Sequence, residues 1–107
     1  MAWSLKKEEK YTVFTADFSS DNQLIDAISL LNIEGNKIID CSSETLSESV
    51  IEKLAIAYQN HFNEQLSFVV VISAKEDMDE VEEHFIAVPT ISEAIDYIYM
   101  EELERNF

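Results

Sequence analysis

Five consecutive apolar residues, Phe68-Val69-Val70-Val71-Ile72, constrain this chain of 107 residues more than any other stretch, and no apolar run in it is longer. A strand with one face in water alternates apolar and polar side chains. This one does not, so both of its faces must be covered, as in the middle of a parallel sheet flanked by helices. It is also far short of the roughly 20 apolar residues that a bilayer-spanning helix needs.

Around this strand, the chain reads as alternating strands and helices with no linker. Gly35 is its only glycine and Pro89 its only proline, so turns must rely on Asn, Asp and Ser. Residues 2–5 fit a short edge strand, followed by a charged turn at 6–9, and residues 11–16 a stronger one rich in β-branched and aromatic side chains. Ser20 and Gln23 form a capping box that opens a first helix over 21–32. After a loop at 32–36, residues 37–41 read as a buried strand ending in Asp40 and Cys41. The second helix carries Ile51, Leu54, Ala55, Tyr58 and Phe62 on one face and runs to about Gln65. Residues 76–83 are an acidic loop or one short helical turn. Residues 85–88 are a short strand, and Thr90 with Glu93 caps a final amphipathic helix. The expected fold is α/β: one domain over 1–107, a mainly parallel or mixed sheet of four or five strands, with helices packed against it.

Charge narrows the range of partners. A hydrophobic content of 47% argues for a folded globule despite a net charge of −15, and 22 acidic against 7 basic residues disfavour nucleic acid and anionic membrane. From Glu76 onward there are eleven acids and one base, Arg105, so this end is a solvated face or an acidic docking surface for a basic partner. The single cysteine, Cys41, cannot form an intrachain disulfide, which fits a reducing compartment. Residues 1–5 lack the apolar stretch of a secretory leader. The expectation is a cytoplasmic protein.

The residues also argue against chemistry. Cys41 as a nucleophile would need a base, and the only histidines are His61, near the buried face of the second helix, and His84, in an acidic segment. There is no Cys-x-x-Cys and no histidine pair at metal-ligand spacing. The acids at 76–83 lack the central glycine and spaced ligands of an EF-hand loop. One glycine cannot build a P-loop or a Gly-x-Gly-x-x-Gly turn. A non-enzyme without metal or cofactor is expected.

Function in open parallel sheets gathers beyond the carboxyl ends of the strands. Here that edge includes Asp40, then the hydroxyl-rich stretch Ser42, Ser43, Thr45, Ser47, Glu48 and Ser49 that leads into the second helix. Thr45 and Ser49, each followed three residues later by Glu, are cap candidates. A hydroxyl here, if phosphorylated, would add about −1.5 to −2 charges at the favourable end of the helix dipole.

The element order resembles the STAS domain, the family of anti-sigma-factor antagonists and of sulfate-transporter tails. A strand ending in Asp40, a polar loop and a helix beginning near Glu48-Ser49 is similar to the STAS segment in which a strand ending in Asp leads to Asp-Ser-x-Gly. The tail from Val88-Pro89-Thr90 through Glu93-Ala94 to Met100-Glu101-Glu102-Leu103-Glu104-Arg105 more closely resembles short bacterial STAS-like proteins that often carry the name ribonuclease Z. That hydrolase needs a His- and Asp-rich dinuclear zinc site, which two scattered histidines cannot build. The chain departs from the family motif in having Glu48 for Asp and Val50-Ile51 for the small residue and glycine after the serine. By position, Ser49 is the first match to the family phosphoacceptor and Ser47 the second. The resemblance implies a non-enzymatic regulatory module, anti-sigma-antagonist-like, that binds another protein, with nucleotide binding a further implication.

Two other readings compete. One is an assembly subunit, a homodimer for instance, joined through an exposed edge strand or the aromatic final helix, where Tyr97, Tyr99, Met100 and Phe107 cannot all face one core. The other is the small hydrolase that the ribonuclease name would suggest.

Overall fold

A computed structural model describes residues 2–106, and it is α/β, as the patterning predicts. Five strands, β1 (Ala2–Lys7), β2 (Thr12–Asp17), β3 (Lys37–Asp40), β4 (Phe68–Val71) and β5 (Ile86–Val88), form one mixed sheet in the order β1-β2-β3-β4-β5. β1 pairs antiparallel with β2, and every later pairing is parallel. The helices are α1 (Asp21–Ser29), α2 (Glu48–Asn63), α3 (Met78–Glu82) and α4 (Ile91–Arg105).

Strands that follow one another across the sheet through right-handed crossovers keep their connecting helices on one face. Leu24 and Ile28 of α1, Val50 and Leu54 of α2, and Val81 of α3 therefore share a core with Ile39, Phe68, Val70 and Ile72. Helix α4, which follows β5, folds under the opposite face. There Ala94 and Ile98 pack on Val13, Ile38, Val69 and Val71. β4 supplies side chains to both cores and is buried throughout, which accounts for its unalternated sequence. Each such side chain contributes about 1.5–3 kcal/mol by leaving water.

The capping boxes form with altered return bonds. At α4, Thr90 Oγ1 accepts from the Glu93 N–H at 3.1 Å, and the Thr90 hydroxyl itself donates to the Glu93 carboxylate at 3.3 Å. At α1, Gln23 reaches the N–H of Ser19 rather than that of the cap, Ser20. Helix α1 ends three residues earlier than its apolar spacing suggests, with Leu30 84% exposed. At the end of α2, the Leu66 N–H bonds the His61 carbonyl at 2.9 Å and the Gln65 N–H bonds the Phe62 carbonyl at 3.0 Å. This is a Schellman stop in which Gln65, at φ 59°, occupies the left-handed position usually given to glycine.

The inward stripe of α2 is Val50, Leu54 and His61, whereas Phe62 is 58% exposed. Seven residues beyond Leu54 is close to two full turns, so His61 occupies the place that apolar counting gives to Phe62. Its partner explains the choice. Lys37, at the start of β3, is 1% exposed and points its Nζ at His61 Nε2, 2.8 Å away, and at the Glu34 carbonyl, 2.9 Å away. His61 Nδ1 donates to the Ala57 carbonyl at 2.7 Å, which leaves Nε2 unprotonated and able to accept from the ammonium.

A second polar cluster closes the amino end of the sheet. Asn36 Nδ2 donates to the Lys10 carbonyl at 3.0 Å and to Glu102 Oε1 at 2.7 Å, while its Oδ1 accepts from the Ser67 N–H at 2.8 Å. Ser67 Oγ donates to Glu101 at 2.6 Å and accepts from Arg105 at 3.0 Å. One asparagine thus joins the β1–β2 turn, the start of β4 and the last turn of α4.

Candidate functional site

Because β2 to β5 are parallel, the loops that follow them lie along one edge, and α1, α2 and α4 begin there. The loop after β3 is held from four sides. Asp40, only 9% exposed, accepts the Ser42 N–H at 3.0 Å and the Ser42 hydroxyl at 2.6 Å, which folds the chain sharply at the strand end. The Ser43 hydroxyl donates to the Ala16 carbonyl at 3.4 Å. The Glu44 carboxylate accepts the Phe18 N–H at 3.2 Å, and the Glu76 carboxylate accepts the Leu46 N–H at 3.1 Å. The Leu46 side chain is buried and pins the centre of the loop to the core.

The polar residues between these anchors are exposed, with the Ser42 and Ser43 hydroxyls turned back to Asp40 and the Ala16 carbonyl. Ser42, Ser43, Thr45, Glu48 and Ser49 are exposed, whereas Asp40 is buried and positions the loop rather than presenting itself. Glu44 and Thr45 also border a cavity of about 150 Å³ together with Phe18, Ser20 and Asp21. The structure therefore gathers the sequence-derived residues into one ordered segment, with Asp40 beneath it.

The helix cap differs from expectation. Ser47, and neither Thr45 nor Ser49, caps α2, its Oγ accepting the Val50 N–H at 3.3 Å. The anchors on Glu44 and Leu46 keep Thr45 in the loop, and burial of Val50 in the core sets the first turn. Ser49 consequently lies in that first turn with its side chain free of the capping duty. Ser47→Ala is expected to destabilise the protein by about 1 kcal/mol, read as a lowered urea midpoint at unchanged slope, while Ser49→Ala stays within about 0.5 kcal/mol of wild type.

The residues considered for chemistry are not assembled. Cys41 is fully buried. Desolvation first, and then the charges of Asp40 and Glu44, push its thiol up to about 12, so it stays protonated near neutrality. His61 is engaged with Lys37 and Ala57 at the other end of the sheet, and His84 is exposed after α3. Among the described residues, no group of three His, Cys, Asp or Glu side chains is arranged to hold a metal ion, and no helix is long and apolar enough to cross a membrane.

Sequence reasoning missed the two tethers, Glu44 and Glu76. Both look like ordinary surface acids, and only the return of β4 beside β3 places Glu76 against Leu46. Comparison with known protein families returns no matching family model, and comparison with curated proteins returns no match.

Proposed function

We propose that this chain is a non-catalytic, STAS-like protein-interaction module of the cytoplasm, a regulatory component that docks a partner protein through residues 42–49 and the exposed start of α2. The observation that carries this reading is the combination of order and exposure in the loop. Its backbone is fixed by Asp40, Glu44, Glu76 and Leu46, yet Ser42, Ser43, Thr45, Glu48 and Ser49 are exposed. A surface fixed before binding loses little conformational entropy on docking, which favours specific recognition.

Phosphorylation of Ser49 would serve as the switch, with Ser47 as the second acceptor. A phosphate in the first turn sits at the positive end of the helix dipole, and Lys53 follows Ser49 at the i,i+4 spacing that lets an ammonium reach it. The same phosphate would deepen an already acidic edge, formed by Glu44, Glu48, Glu76 and Asp77, and so repel an acidic partner or hold a basic one.

The surface is tested by comparing two substitutions that introduce a bulky positive charge in capture from cell extract: Thr45→Arg in the loop and Leu103→Arg on the outer face of α4. Loss of the same captured protein with Thr45→Arg alone supports docking through the loop. Loss with Leu103→Arg alone moves the interface to α4.

A further inference from the structure

We infer that two copies of this chain associate through their β1 strands, antiparallel and related by a two-fold axis, extending the five-stranded sheet into a continuous ten-stranded one. The two sheet edges are unlike. β5 has only three residues and is followed directly by Pro89, which has no N–H to donate if the pairing were to extend. β1 has six residues and, among the described residues, pairs with β2 on one side only, which leaves its other side as an open sheet edge.

The apolar surface continues onto that edge. Trp3 and Leu5 share the face that carries α1 and α2, since they register with Ala16 and Phe14 of β2. Leu5 is 63% exposed there. Beside them a groove of about 360 Å³ runs between the hairpin and α1, lined by Trp3, Phe14, Phe18, Ala27, Leu30 and Leu31. Trp3 stands edge-on to Phe14 and Phe18, at centroid distances of 5.8 Å and 5.1 Å, and so holds the groove open as a rigid wall.

Charge selects a second copy as the occupant. The hairpin, residues 1–17, contains Lys6, Lys7 and Lys10 against Glu8, Glu9 and Asp17, a net of zero, so residues 18–107 carry the whole net charge of −15. The hairpin edge is therefore the side on which two such acidic molecules can meet without stacking their acids. A two-fold axis normal to the sheet keeps the helix-bearing faces together and requires residues of the same face to stand opposite one another. With the axis at Ser4, Trp3 of each copy faces Leu5 of the other. Lys6 then falls opposite Ala2 of the second copy, so the lysines lie toward opposite ends of the paired strands. Each Leu5 is covered by the neighbouring Trp3, and the two grooves join across the shared seam.

Two measurements test this. Sedimentation of wild type against Leu5→Lys over a concentration series reads the association, and oxidation of Ser4→Cys reads the register, because positions facing each other across the axis are within disulfide reach. The expected result is a wild-type dimer that strengthens with added salt as repulsion between the two −15 molecules is screened. Leu5→Lys should sediment as a monomer at the same concentrations. Ser4→Cys should give a covalent dimer on a non-reducing gel, while Ser29→Cys, exposed on α1, stays monomeric. A wild type that is monomeric at every concentration overturns the proposal, as does a dimer unaffected by Leu5→Lys. If Leu5→Lys loses its folded circular dichroism, the Ser4→Cys cross-link decides alone: its presence supports the two-fold pairing and its absence rejects it.

Discussion

His61→Leu is expected to destabilise the fold by about 3–5 kcal/mol at neutral pH, because it strands the Lys37 ammonium in the core. Lys37 is 1% exposed and no carboxylate among the described residues bonds it; its acceptors are the Glu34 carbonyl and His61 Nε2. Lys37→Met should cost less, about 1–3 kcal/mol, since what it leaves unpaired is neutral, the ring nitrogen of His61 and the Glu34 carbonyl. The double variant, Lys37→Met with His61→Leu, replaces the pair with apolar side chains and should lie within about 1 kcal/mol of wild type, far from the sum of the singles. Urea midpoints of the four proteins measure this directly. If the double equals the sum of the singles, the two side chains are not a coupled unit.

The same pair gives stability a pH dependence of defined sign. Burial lowers the Lys37 pKa from 10.5 to about 8, opposed by the charge of Glu34. Between these values the unfolded chain binds a proton that the folded protein releases, so the contribution of Lys37 to stability rises with pH from about 8 to 10.5. Burial, and then the charge of Lys37, lower the pKa of His61 below 6.5, against the pull of the Ala57 and Asn32 carbonyls. Stability therefore also falls as pH drops through 6.5, where the unfolded histidine takes up a proton that the folded one refuses. Of the charged groups nearby, Glu34 lies in the adjoining loop and Lys53 borders the same cavity as His61. Self-repulsion of the −15 chain grows with pH and opposes the alkaline gain. The gain is therefore read as a difference between wild type and Lys37→Met, which should lack it.

Asn36→Ala is expected to destabilise by about 3 kcal/mol, because it removes the acceptor of the buried Ser67 N–H and a donor to the Glu102 carboxylate together. Asn36→Asp separates the two. It keeps an acceptor for Ser67 but sets a second carboxylate against Glu102, whose bond to Asn36 Nδ2 is only 2.7 Å long. Asp at this position should be at least as destabilising as Ala at neutral pH. It should recover as the pH falls toward 4, where a carboxyl proton can replace the missing donor. Thermal unfolding at pH 7 and pH 4.5 distinguishes them. An Asp variant with the same relative stability at both pH values would mean that Asn36 does not act through Glu102.

These two clusters mark where the sequence stops being legible. The unalternated run at 68–72 and the Ser20 and Thr90 caps are local signals, and the sheet, its helices and the end-of-sheet loop follow from them. Lys37 reads as a polar residue at a strand end, and its burial depends on His61, which is 24 positions away. Asn36 reads as a loop residue, and its partner Glu102 is 66 positions away. Such pairs have no local pattern, because they exist only after β3, α2 and α4 have met. In the candidate site, the exposed hydroxyls at 42–49 were visible as composition. The Glu44 and Glu76 tethers were not, and without them the same composition would describe a flexible loop.

The most direct test of the docking account is the affinity of the captured partner for wild type and for Ser49→Asp, measured with purified proteins and with Ser49→Ala as the control for loss of the hydroxyl. The account predicts that Ser49→Ala binds like wild type and that Ser49→Asp changes affinity at least tenfold, because a charge at this position alters the surface the partner touches. Equal affinity of all three proteins would contradict the assignment of Ser49 as the switch within the docking surface.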